Sequence, residues 1–177
     1  MTNLVITRPD SSEYAPYYEK YLNQVQGDDV LRTLSAQTDK SLATLRGITE
    51  ERSLSRYAPN KWSIREVVGH LIDCERIFTY RALRFARNDS QELAGFEQDD
   101  YIPYAHFDNR AWPDLLSEFE LVRRSTVLMY RGLDADAWMR RGTANKASLT
   151  VRAIAYITAG HELHHMQMIR TKYLGAA

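Results

Sequence analysis

Apolar residues recur three and four positions apart along most of this chain, the spacing of one face of an α-helix. After an irregular lead-in over residues 1–10, Tyr14, Tyr17, Tyr18, Tyr21, Leu22 and Val25 predict a short helix from a Ser12 cap to about Gln26. Gly27 breaks it. Val30, Leu31, Leu34, Thr38, Leu42 and Leu45 then share one face of a longer helix over about 28–46, which Gly47 stops. Tyr57–Lys61 reads as a turn. Ser63 and Glu66 next form a capping box, in which the serine accepts from the backbone three residues on and the glutamate reaches back. That helix should run to about Arg87 with Ile64, Val67, Val68, Leu71, Ile72, Phe78, Ala82 and Phe85 inward.

Residues 88–107 interrupt the pattern with a long connection that is acidic and aromatic. Connections of this length act as lids, crossovers or disordered segments, and the aromatic residues argue against disorder. A third long helix begins near Asp108–Trp112, with Pro113 in its first turn, and ends at Gly132. Residues 133–149 connect, with Trp138 packing down, and a fourth long helix spans about 150–173. Four long amphipathic helices predict an all-α, four-helix bundle with a short extra helix at the N-terminal side, occupying residues 1–177 as one domain.

Composition narrows the function classes. Lys+Arg and Asp+Glu are both 23, a formal net charge of +0, so nothing electrostatic points to nucleic acid or an anionic membrane as partner. No apolar run approaches the roughly 20 residues that span a bilayer. The first residues lack a signal-peptide pattern, and the single cysteine, Cys74, excludes an internal disulfide and fits a reducing compartment. A cytoplasmic protein is expected.

The candidate chemistry lies in histidines. His161 and His165 are i and i+4 on the last helix, so their imidazoles leave one face about 6 Å apart along the axis. Two such nitrogens can converge on one metal at about 2.0–2.1 Å each. His161-Glu162-Leu-His-His165 matches H-E-x-x-H, with Glu162 as the general base of a metalloprotease. That class takes a third ligand downstream, and no His, Asp or Glu follows His165. A di-iron bundle needs a second E-x-x-H, and none exists. His70 is the remaining candidate on an apolar face. It sits about 10 Å above the start of its helix, and His165 about 10–12 Å below the end of the last. These heights agree only if the two helices are antiparallel. Up-down-down-up wiring makes them so, and the connection at 88–107 is the crossover that this wiring needs between the second and third long helices. The expected site is His70, His161 and His165, with positions left open for water or substrate. His164 lies on another face, and His106 is read as a surface residue.

At these residues the chain resembles the DinB/YfiT-like family of metal-dependent enzymes. The resemblance rests on Lys61-Trp-Ser-Ile-Arg-Glu-Val-Val-Gly-His70, the following Leu71–Phe78, and Gly160-His-Glu-Leu-His-His165. It implies an up-down-down-up bundle, a three-histidine site for zinc or nickel, and frequent homodimers. Its characterised relatives include S-transferases that use bacillithiol or mycothiol, and a maleylpyruvate isomerase. The family's name refers to DNA-damage induction and does not imply DNA binding.

A divalent metal at such a site generates a nucleophile at neutral pH by lowering the pKa of a bound water or thiol. The leading expectation is therefore an enzyme acting on a small molecule, with thiol-dependent S-transfer or hydrolysis as its chemistry. Iron and manganese also suit three imidazoles. The alternative is a non-catalytic, stress-responsive dimer in which a fourth protein ligand, Cys74 or His106, closes the site. A bundle whose histidines are core residues is the third. Glu66, Asp73 and Glu162 are candidates for orienting the ligand rings. Trp62 reads as a hydrophobic staple and Cys74 as a small core residue. Arg81, Arg84 and Arg87 complement a helix C-terminus or, more sharply, bind an acidic substrate. Phe96, Tyr101, Tyr104 and Phe107 pin the crossover or wall a pocket.

Overall fold

The computed structural model describes residues 5–175, so the first four residues of the expected lead-in lie outside the described part. The short N-terminal helix is fragmented. Two 3-10 turns at Ser11–Glu13 and Pro16–Tyr18 precede a single α-turn, α1 at Glu19–Leu22. Pro16 disfavours helical backbone at the residue before it, and Ala15 is extended (φ −72°, ψ 145°), so the helix expected from Ser12 is broken there. The cap also moves: Asp10 accepts from Ser12 N in a box with Glu13. The helix α2 spans Val30–Arg46 from an Asp29 cap. The helix α3 spans Ile64–Ala86, and its Ser63/Glu66 box forms as the sequence predicts. The helix α5 spans Trp112–Arg131, and α7 spans Val151–Met168 from a Thr150 cap before one wider π-turn at Ile169–Tyr173.

The two connections hold more structure than their sequences suggest. The crossover contains α4, Gln98–Ala105, ended by His106 in the left-handed region. The segment before α7 contains α6, Ala135–Met139, and a hairpin, β1 at Arg141–Ala144 and β2 at Ala147–Thr150. Asn145 and Lys146 both take positive φ, 51° and 62°, as a two-residue turn of the I′ kind demands. Asn-Lys is a weaker turn signal than Asn-Gly, and each strand is only four residues long, so periodicity alone does not reveal them. Leu93 donates to Thr143 O and accepts from Asn145 N, both at 2.9 Å, which stitches the crossover to the hairpin.

The four long helices form an up-down-down-up bundle. α2 and α3 each pack against α5 and α7. Contacts between Glu75 and Arg123 and between Thr79 and Thr126 advance in the same direction along both helices, so α3 and α5 are parallel. Gln37 meets Ala159 and Ser41 meets Glu162, so α2 and α7 are parallel as well. Phe85 lies against β1, beside the start of α7, whereas His70 meets His161 and His165 near its end, so α3 and α7 are antiparallel. Packing is therefore consistent with the ligand heights read from the sequence.

The core is divided. One apolar cluster joins Leu22, Val30, Leu34, Phe85, Tyr130, Trp138 and Ile154. A second joins Leu42, Leu45, Ile64, Val68, Leu115, Phe119 and Ile169. Between them lies a belt of buried polar groups: Gln37, Thr38 and Ser41 from α2, His70 and Glu75 from α3, Arg123 and Thr126 from α5, and His161, Glu162 and His165 from α7. Burying polar groups costs free energy unless they are paired, so this belt is where the fold accommodates something other than packing.

Candidate metal centre

Each ligand candidate is placed by a local rule. The Ser63 cap fixes the start of α3 and so the phase at which His70 faces inward. Thr150 does the same for α7, and the i, i+4 spacing puts His161 and His165 on one face. Gly160 lets α1 approach: a Cβ there would lie 2.0 Å from the Tyr21 carbonyl oxygen. The Tyr21 ring consequently stands edge-on to His161, centroids 5.3 Å apart.

His70, His161 and His165 converge, with one nitrogen from each lying within 4.8 Å of the others. The Nε2 atoms of His70 and His161 are 3.1 Å apart. Two nitrogens of a tetrahedral zinc site stand about 3.3 Å apart, given bonds of roughly 2.0–2.1 Å. All three rings are buried. Burial pulls the pKa of His70 down to about 4. Burial, then the neighbouring His70, pulls His165 down to about 3. Burial, then His165 and His70, holds His161 well below the usual imidazole range. All three are therefore neutral at pH 7 with a lone pair to offer. Nδ1 of His165 is buried and has no hydrogen-bond partner among the described residues. An unsatisfied buried nitrogen within a set of neutral imidazoles fits a site built for a cation. Trp62 and Phe78 complete an aromatic wall, at 4.9 Å from His70 and 5.7 Å from His161.

Among the described residues, none of the three acidic candidates hydrogen-bonds a histidine ring. Glu66 accepts from Ser63 N at 2.7 Å and pairs with Arg56 at 2.5 Å. Asp73 lies toward the surface 4.0 Å from Arg76, its pKa raised chiefly by partial burial. Glu162 points across the bundle to Ser41 and to Arg123, both at 2.5 Å. It forms a buried network with Glu75, which receives two hydrogen bonds from Arg123 at 2.8 Å. Burial lowers the Arg123 pKa, but the two glutamates outweigh it and the net shift is upward. A carboxylate committed to this network is not the free base that an H-E-x-x-H protease uses.

Cys74 lies nearer. Its Sγ is 3.5 Å from Nδ1 of His70, and burial pushes the thiol up to about 12. His106 is exposed on the crossover and apart from the cluster. His164 is half-buried, within 3.3 Å of Gln24. Trp62 does pack against the lower apolar cluster as a staple would, and it also covers His70. The arginine run splits. Arg84 bonds Asp89, Tyr80 and Gln91, Arg87 is exposed, and Arg81 turns into the bundle. Among the crossover aromatics, Phe107 is buried beneath Gly69, Tyr104 is 84% exposed, and Phe96 stands 5.4 Å from Tyr101. Phe96 also lines a cavity of about 370 Å³ that reaches His161.

The bundle's wiring and its histidine belt define a class, and the comparisons agree: the chain belongs to the DinB superfamily, whose family model matches residues 33–169. Among solved structures it is similar to YfiT from Bacillus subtilis, with TM-score 0.68 and 16% identity over 97% of this chain and 95% of that one. YfiT is described as "a probable metal-dependent hydrolase with an unusual four-helix bundle topology". At this identity the likeness shows the fold. A search of curated proteins by sequence gave no match.

Proposed function

We propose that this chain is a metal-dependent hydrolase in which His70, His161 and His165 hold one divalent cation. The observation that carries the reading is the convergence of three buried, neutral imidazoles, one with an unpartnered nitrogen. The description of YfiT supports hydrolysis as the reaction. Zinc or nickel is the proposed metal, with iron or manganese compatible with the same donors. A cation held there supplies Lewis-acid chemistry: it lowers the pKa of a coordinated water or thiol and polarises a carbonyl.

The chain's own groups do the rest. The low imidazole pKa values keep the rings unprotonated, so a cation does not compete with protons near neutrality. Trp62, Phe78 and Tyr21 exclude bulk water from three sides, which strengthens electrostatic interactions inside. Arg123 holds Glu162 away from the rings. The cavity beside His161 admits a small molecule.

S-transfer to a low-molecular-weight thiol is the second reading. It is favoured by the commitment of Glu66 and Glu162 to other partners, because a thiol needs less help from a base than water does. A cation that only staples the bundle would need a fourth protein ligand, and Cys74 is the nearest donor. A cytoplasmic homodimer acting on neither nucleic acid nor membrane belongs to the same proposal. The balanced charge supports the first exclusion, and among the described residues no helix is long and apolar enough to cross a membrane.

Metal analysis by mass spectrometry, on protein purified without a nickel column, tests the reading. About one cation per chain is expected in the wild type and none in His70→Ala or His165→Ala. Ester turnover with and without added thiols then separates hydrolysis from transfer. Failure of the wild type to take up zinc, nickel, iron or manganese would sink the proposal.

A further inference from the structure

Three arginines are almost fully buried among the described residues: Arg65, Arg81 and Arg123. Arg65 is paired with Glu50, and Arg123 with Glu75 and Glu162. Arg81, 4% exposed, has no carboxylate partner among the described residues. Its Nη2 donates to the Ala94 carbonyl at 3.0 Å, the Tyr18 hydroxyl lies close enough to feel its charge, and its guanidinium lies 5.7 Å from the centre of the Phe96 ring. A guanidinium carries five N–H donors, so most of its capacity is unspent. Buried charges are normally paired, and a lone one is expensive to keep. Two other buried arginines of this chain follow that rule, which makes Arg81 the exception that calls for a ligand.

Its position says where the ligand sits. His70, Cys74, Phe78 and Arg81 fall at i, i+4, i+8 and i+11, on one face of α3. The Phe78 ring touches His161, and Arg81 is one turn farther on. Arg81, Cys74, Phe78, Phe96, Tyr18 and His161 all line the cavity of about 370 Å³. That volume is at the small end of ligand sites, which run from about 300 to 1,000 Å³. Tyr17, Tyr18, Tyr21, Phe78 and Phe96 form an aromatic side to it, and the rest of the lining is largely polar. Glu97 and Asp99 stand exposed at its edge, unpaired with Arg81, and would repel a multiply charged anion.

We propose that Arg81 anchors the substrate of this site, and that the substrate is a small monocarboxylate with a flat apolar body. The carboxylate meets the guanidinium, the body lies among Tyr18, Phe78 and Phe96, and the other end reaches the three histidines. That the far end meets a metal rests on the function proposed above, whereas the anchoring does not. One guanidinium matches one carboxylate in charge and in its two-donor geometry.

Fluorine NMR titration of the full chain with fluorobenzoate and the isosteric neutral fluorobenzamide tests this, on protein as purified and again after chelation. The acid should bind about tenfold tighter or more than the amide, as charge-assisted bonds allow. The preference should survive chelation and vanish in Arg81→Met, whose helical content circular dichroism would verify; Arg81→Lys should retain part of it. Equal binding of the two probes, or of neither, overturns the proposal, as does a preference kept in Arg81→Met. A preference abolished by chelation in the wild type also overturns it, because the anion then belongs to the metal. An Arg81-dependent preference in protein that takes up no metal would leave the anchor standing and remove the metal reading. If Arg81→Met does not fold, Arg81→Lys decides, and a preference undiminished there overturns the proposal.

Discussion

Arg123 and Glu162 meet at 2.5 Å in the middle of the bundle, one residue along the chain from His161. Consecutive residues of α7 therefore face two different polar systems. His161 faces the histidine cluster, and Glu162 faces an ion pair network shared with Glu75. The i+1 step of about 100° around a helix separates them. The network is structural, and the cluster is the candidate for chemistry.

Substitutions should separate the two. Arg123→Met leaves two buried carboxylates without a counter-charge and should cost about 3–5 kcal/mol, the range for breaking a buried pair. Glu162→Gln leaves Arg123 paired with Glu75 and should cost about 1–2 kcal/mol. Urea unfolding reads both. Glu162→Gln should keep its metal and most of its turnover. A folded, metal-loaded Glu162→Gln protein without activity would return Glu162 to the role of base.

Acid should destabilise the metal-free protein within a definite window. An unfolded histidine takes up its proton near pH 6.5, but burial delays protonation of His70 to about 4. Between those values the unfolded state binds more protons, so stability falls as pH falls. His70 alone contributes on the order of 3 kcal/mol, present above pH 6.5 and lost as the pH falls to about 4. Urea midpoints across this range should drop steeply in the wild type and less in His70→Asn. Equal slopes would contradict the burial of an uncharged ring.

Metal removal should lower thermal stability. A cation at a thousand times its dissociation constant adds about 4 kcal/mol. For a chain of this size that corresponds to a Tm shift of about 10 °C. Differential scanning calorimetry with and without chelator measures it, and His165→Ala should show no difference.

Gly160→Ala should disturb the site without touching a ligand. Its new Cβ would sit 2.0 Å from the Tyr21 carbonyl, a backbone atom that cannot swing aside. Overpacking of this kind costs about 1–3 kcal/mol. The α1 turn should lift from α7, uncovering His161, and hydrogen exchange at Tyr21 and Leu22 should accelerate.

Much of this was legible in the residues. The capping box at Ser63, the i, i+4 pair at His161 and His165, and the long crossover are local or nearly local signals. Local geometry sets helix phase and length, and those two quantities place His70 opposite its partners. The wiring followed from matching heights with loop length. The break at Pro16 was open to the same local reasoning, since a proline steers the residue before it toward extended backbone, as Ala15 shows. The Asn145–Lys146 hairpin was less legible, because its turn type depends on two left-handed residues that sequence marks only weakly.

What the chain alone could not state is which partner each polar side chain finds. Glu66, Asp73 and Glu162 were candidates to support the histidines by spacing, yet Arg56, Arg76 and Arg123 take them. Arg81, Arg84 and Arg87 were one basic run by sequence. In the folded chain Arg84 and Arg87 stay near the surface, and Arg81 is buried against Phe96 without a counter-charge among the described residues. Spacing along one helix determines direction, so the sequence by itself determined the helices, their caps and the face that the histidines share. Pairing is decided by which groups other elements bring within about 3 Å, so only tertiary packing decided which charges are spent on pairing and which stays without a counter-charge among the described residues.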